Sequence, residues 1–147
     1  SSAMIMAEAK KGKTLFLFDT FEGLPEFSEK DREGAFYKGQ YTTSLAIVQS
    51  FFNQFYPNVN IYKGLFPQET GHFIQNEKFS FVHLDVDLYK STKDCLEFFW
   101  PRMTVGGKII THDIKELGVK MAFDEFFAVR NEKVVELSNS QGLVTRT

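Results

Sequence analysis

The stretch that most restricts this chain is Phe79 to Tyr89, FSFVHLDVDLY, a short apolar run that closes on two carboxylates, Asp85 and Asp87. A continuous apolar run of this kind is the pattern of a strand buried on both faces, as in a parallel sheet. In open α/β sheets ligands gather just beyond the carboxyl ends of such strands, so acids placed there suggest a site. A second run, Gly107 to Asp113 (GKIITHD), ends in His112 and Asp113. Asp113 follows Asp85 by about one β-α-β repeat, a spacing that sets the two acids at adjacent strand ends. Two such tips can share one hard cation, because magnesium takes few protein carboxylates and leaves its other octahedral positions to water or substrate oxygens.

The remaining chain alternates in the same way. Ser1 to Ala9 reads as a helix closed by Lys10, Lys11 and Gly12. Thr14 to Phe18 (TLFLF) is a buried strand running into Asp19, and the polar loop from Glu22 to Gln40 has a length more usual for a lid or binding loop than for a connection. The spacing of Leu45, Val48, Phe51, Phe52 and Phe55 predicts a helix over Ser44 to Tyr56, capped by Thr42 or Thr43, with a strand over Asn58 to Phe66. Pro67 opens a short helix into Gln75; beyond the acid-tipped strand come helices over Ser91 to Arg102 and Gly118 to Arg130, with Met103 to Gly107 as a turn. Val134 to Leu137 and Leu143 to Arg146 form a terminal antiparallel pair. The pattern predicts one α/β domain over 1–147, a mostly parallel sheet with right-handed crossovers.

Composition narrows the partners. A net charge of −2, from 17 basic and 19 acidic residues, gives no positive field for nucleic acid or an anionic membrane. The 17 Phe imply a core and groove walls built from rings. Cys95 is the single cysteine, which excludes an internal disulfide and a thiolate metal cluster, fits a reducing compartment and reads as helix packing rather than a nucleophile. No apolar run reaches the ~18 to 20 residues of a membrane span and no signal peptide is visible, so a cytoplasmic location is expected.

Asp85, directly after a buried run, must be solvated, hydrogen-bonded or metal-bound, with helix capping as the alternative. Alternation turns Asp87 away and makes it a cap for the helix near Ser91. His112 is a nitrogen ligand, a general base near neutral pH, or a packing residue. Asp19 ends the earlier strand, where nucleoside-binding folds place an acid that accepts both ribose hydroxyls, with an acidic turn residue as the alternative; Glu22 and Gly23 extend the same loop, Gly23 supplying a backbone angle rather than a ligand contact. His83 reads as a core histidine and His72 as solvated.

Taken together, LFLFDTFEGLPE, KGLFPQET, FSFVHLDVDLYKSTKDCLEFFWPRMTVGGKIITHD and GVKMAFDEFF resemble, in order and spacing, the macrocin O-methyltransferase family, over about Ser1 to Phe127. The resemblance implies a Rossmann-like class I methyltransferase fold, S-adenosylmethionine as methyl donor, Mg2+ as second cofactor and a small-molecule hydroxyl as acceptor. It makes Asp85, His112 and Asp113 the metal set, with Asp85 also proposed as base and His112 beside it. Many relatives look to carry an Asp-Asp pair where this chain has His112 and Asp113. On the cofactor side it points to Asp19, Glu22, Gly23 and Gly64. Aromatic and Met side chains would steady the sulfonium charge.

The family's first strand and glycine-rich turn are not in this sequence, and by the family's strand order that strand lies between those ending at Asp19 and Asp85. Its loss would leave two rows of backbone groups facing a gap. The expectation is a longer natural protein, direct pairing of the two strands, or a strand borrowed by homo-oligomerisation or exchange. Two rival readings stand beside this one. Asp85 and Asp87 form the Asp-x-Asp of metal-dependent glycosyltransferases, though no basic diphosphate loop accompanies them. The chain is otherwise a non-catalytic methyltransferase fragment.

Overall fold

A computed structural model describes residues 2–32, 34 and 36–147. The predicted helix start at Ser1 and two positions of the long loop, Glu33 and Ala35, lie outside the described residues. The order is α1 (Ser2–Ala9), β1 (Leu15–Asp19), α2 (Leu45–Phe55), β2 (Val59–Lys63), β3 (Phe79–Leu84), α3 (Tyr89–Phe99), β4 (Met103–Thr111), α4 (Leu117–Phe127), β5 (Val135–Glu136) and β6 (Gly142–Thr145).

The strands form two sheets. β1 pairs in parallel with β2, and the second sheet runs β3-β4-β6-β5, parallel between β3 and β4 and antiparallel thereafter. The terminal antiparallel pair is therefore present, and β6 docks it onto β4 through Lys108↔Thr145 and Ile109↔Val144. Direct pairing of β1 with β3 does not occur: among the described residues nothing bridges their facing edges. This opening overturns the expectation that both strands are fully buried, since β1 has no buried residue and Phe81 in β3 is 43% exposed.

Rings tie the two sheets together below the opening. Phe79 meets Phe16 edge-on at 6.4 Å and Phe99 at 5.2 Å; Phe99 stacks on Phe66 at 5.0 Å, and Phe66 meets Phe18 at 4.6 Å. Edge-to-face and offset pairs of this kind each add about 0.5–1.5 kcal/mol to simple burial. The Phe-rich composition thus holds two sheets in place where no ladder does.

Helix faces follow the sequence periodicity. α3 buries Tyr89, Thr92, Cys95, Leu96 and Phe99, and α4 buries Gly118, Val119, Ala122, Phe123 and Phe127; of these, Cys95, Leu96, Phe99, Val119, Phe123 and Phe127 share one core with Val82, Leu84, Ile109 and Val144 of the larger sheet. Burial pushes the Cys95 thiol up to about 12, so it is a packing residue and no nucleophile at neutral pH. No helix of the described residues is long and apolar enough to cross a membrane.

Four local expectations are corrected. Met103 to Gly107 is the first half of β4 rather than a turn: pairing jumps from Phe79↔Met103 to Phe81↔Lys108, and Gly106 adopts φ 78° to absorb the extra residues. α3 begins at Tyr89, not Ser91, because the Tyr89 N–H is already capped at 2.7 Å by Asp31 Oδ1 from the long loop. Neither Thr42 nor Thr43 caps α2; Ser44 occupies that position without a side-chain bond, and Thr42 Oγ1 donates to the Gly39 carbonyl at 2.7 Å. Pro67 follows a cis peptide bond, and turns lead to a 3-10 segment only at Gly71–Ile74.

Candidate active site

The site is assembled at the carboxyl ends of β1, β3 and β4. Parallel pairing of Leu84 with Thr111 sets the β3 and β4 tips side by side, and the His112 N–H extends the ladder to the Leu84 carbonyl at 2.7 Å. Beyond these tips Asp87 (φ 56°) and Asp113 (φ 49°) take left-handed backbone, which Asp tolerates better than most residues.

Asp85, His112 and Asp113 each offer one ligand atom, and these atoms all lie within 4.8 Å of one another. His112 Nδ1 is 2.5 Å from Asp113 Oδ2 and 3.6 Å from Asp85 Oδ1. That hydrogen bond to Asp113, helped by the charges of Asp85, Asp113 and Asp87, raises the His112 pKa despite opposing burial. Two carboxylate oxygens and an imidazole fit a divalent cation with open positions for water or substrate.

Asp87 is the residue that sequence reasoning misplaced. It is no cap, since the N–H that opens α3, that of Tyr89, is taken by Asp31; Asp87 joins the acids instead, hydrogen-bonding Asp113. Burial first, then the neighbouring charges of Asp85 and Asp113, push its carboxyl up to about 6. The crowded acids make a demand for positive charge that a cation would meet. His83 is half-buried in β3 and its pKa is lowered, chiefly by burial, which suits a packing residue; His72 is exposed and lies against Phe73 at 4.0 Å.

The sign of the acid pressure gives a testable slope. An acid whose folded pKa stands above its unfolded value stabilises the fold below the unfolded pKa and loses that contribution as pH rises through the folded one. For Asp87 the window runs from about 4 to about 6, and His112, also raised, acts in the same direction at higher pH. In EDTA, thermal stability of the wild type is expected to fall more steeply over that window than that of Asp87→Asn. Equal slopes in paired melting curves would remove Asp87 from the cluster.

A cleft of about 650 Å³ opens between β1 and β3, lined by Phe16, Phe18, Phe51, His83, Asp19 and Asp85 among others. Asp19 and Asp85 therefore share one rim. Asp19 Oδ1 accepts the Phe21 N–H at 2.6 Å, which orients an otherwise exposed carboxylate. The other cofactor-side residues lie apart: Glu22, Gly23 and Gly64 line a separate depression of about 520 Å³. There Glu22 pairs with Lys63 at 2.8 Å, and this bond holds its carboxyl below the usual range. Gly23 (φ 82°) is pressed against the Gly39 carbonyl, 2.3 Å from where a Cβ would stand, so the angle it supplies closes the loop on itself.

Residues 1–138 match the family described as macrocin O-methyltransferase (TylF). Among characterised enzymes the chain is similar to the 8-demethyl-8-(2,3-dimethoxy-alpha-L-rhamnosyl)-tetracenomycin-C 4'-O-methyltransferase of Streptomyces olivaceus. They are 29% identical over 120 residues, covering 76% of this chain and 46% of the relative. The chain thus spans less than half the length of that enzyme. Among solved structures it is similar to the O-methyltransferase NovP, with TM-score 0.78 and 20% identity over 99% of this chain and 67% of NovP. It is also similar to the calicheamicin methyltransferase CalS11, with TM-score 0.79 and 18% identity over 98% of this chain and 65% of CalS11. These likenesses show the Rossmann-like fold of class I O-methyltransferases. With residues 1–138 of its 147 matching the family, this chain belongs to the macrocin O-methyltransferases.

Proposed function

We propose that the chain is the cation-binding and part of the cofactor-binding portion of an S-adenosylmethionine- and Mg2+-dependent O-methyltransferase. The observation that carries this is the cluster of Asp85, His112 and Asp113, whose ligand atoms fall within 4.8 Å of one another. The acceptor is a hydroxyl on a sugar or natural-product-like small molecule; the Streptomyces relative, named for methylation on a rhamnosyl-tetracenomycin, supports that class.

Bound at these residues, a divalent cation would lower the pKa of a substrate hydroxyl and fix its direction. Asp85, with its side chain 53% exposed at the rim of the cleft, is placed to take the hydroxyl proton. Asp113 engages His112 Nδ1 and so sets the imidazole's orientation, which would leave the Nε2 lone pair for the cation. Asp19 on the same rim would hold ribose hydroxyls, with Phe16 and Phe18 of β1 as apolar wall of the cleft. In-line methyl transfer then asks mainly for alignment.

Thermal shift separates this reading from the glycosyltransferase one. S-adenosylhomocysteine at 100 times its dissociation constant should stabilise the protein by about 2.7 kcal/mol, and Asp19→Ala should weaken that response. Stabilisation by a uridine diphosphate sugar with none by S-adenosylhomocysteine would reverse the assignment.

A further inference from the structure

The long loop after β1 is anchored by a carboxylate that the proposed chemistry does not use. Asp31 is 9% exposed, and both its oxygens are engaged: Oδ1 accepts the Tyr89 N–H at 2.7 Å, and Oδ2 accepts the Ser28 N–H at 2.8 Å and the Ser28 hydroxyl at 2.9 Å. Beside it Lys30 Nζ donates to Tyr89 Oη at 2.9 Å and pairs with Glu125 at 2.7 Å, while the Tyr89 hydroxyl donates to Glu125 Oε2 at 2.6 Å. α4 comes equally close. A Cβ on Gly118 would stand 2.1 Å from Asp31 Oδ1 and 2.9 Å from Tyr89 N, so only glycine lets the start of α4 meet this carboxylate.

One buried carboxylate is therefore the contact point of three connections. These are the loop after β1, the junction of α3 with the turn carrying Asp85 and Asp87, and the junction of α4 with the turn carrying His112 and Asp113, met at Tyr89 and Gly118. We propose that Asp31 is a positioning residue for the cation site, holding the first turns of α3 and α4 together and so fixing the separation of the β3 and β4 tips. The inference rests on the cation reading above. A carboxylate bonded to backbone N–H groups stabilises a helix start wherever it occurs; what sets this one apart is that both helices it touches begin just after the clustered acids.

Mn2+ binding to the protein, measured by calorimetry without methyl donor or acceptor, tests it. Asp31→Ala removes the anchor and Gly118→Ala displaces it, and each is expected to weaken Mn2+ binding about 10- to 100-fold, as loss of a group supporting metal ligands does. Asp31→Asn keeps an oxygen for the Tyr89 N–H and should retain most of the affinity. Glu132→Ala, which removes the acceptor for Arg146 and Thr147 far along the chain, serves as a control for stability loss. Wild-type affinity in folded Asp31→Ala and Gly118→Ala overturns the proposal. An equal loss in Glu132→Ala also overturns it, by reducing the effect to stability. Should Asp31→Ala not fold, Gly118→Ala decides, with unchanged affinity counting against. A wild-type protein that binds no Mn2+ overturns the cation reading itself and this inference with it.

Discussion

Replacing Asp85 or Asp113 with Ala is expected to lower cation-dependent methyl transfer by more than about 100-fold, a larger loss than removing a supporting neighbour of a metal ligand causes. Each substitution takes one oxygen from a set whose ligand atoms lie within 4.8 Å, leaving an imidazole and a single acid. Because the residues act as a unit, the double variant should be little worse than either single one. Stability without cation should move the other way. After burial, the charge of Asp85 is the next cause that raises the Asp87 pKa, so Asp85→Ala relieves repulsion and should raise the melting temperature in EDTA. Asp113→Ala also loses the bond to His112 Nδ1 and puts Ala on left-handed backbone, and should not. Methyl transfer from radiolabelled donor, read with melting curves in EDTA and in Mn2+, checks both halves. Unchanged turnover in the two alanine variants would remove these acids from the chemistry.

Much of this site is legible in the amino-acid sequence because strand tips announce themselves. Asp85 and Asp113 each end an apolar run, and their spacing along the chain puts them on adjacent parallel strands, as the Leu84↔Thr111 pairing bears out. The buried faces of α3 and α4 are legible for the same reason, since core residues recur at helical spacing. What stays hidden depends on partners distant in sequence. The start of α3 is fixed by Asp31, which no local capping rule connects to Tyr89. Asp87 resembles a cap until the turn after β3 brings it against Asp113. The half-exposure of β1 and β3 reflects what does not pair with them, a property no run of Leu, Phe and Val records.

That opening predicts the largest effect on stability. When the polypeptide 1–147 is prepared by itself, β1 and β3 should exchange their cleft-facing amides rapidly and the cleft should bind a hydrophobic dye. Backbone groups alternate sides along a parallel strand, so about half of those in each strand point into the cleft. Each would cost about 1–3 kcal/mol if buried without a partner, so the edges must stay in water or find a strand. Exposed edges with apolar walls also pair with other chains, and self-association that grows with concentration is expected in sedimentation. A parallel strand supplied by another part of the protein, or by a second copy, would satisfy both edges at once and extend the sheet from β2 through to β5. It would then protect the amides and raise the melting temperature. A concentration-independent monomer whose β1 and β3 amides all exchange slowly would mean that the cleft is closed in solution, and the ring contacts from Phe16 to Phe99 would then have to hold the sheets edge to edge unaided.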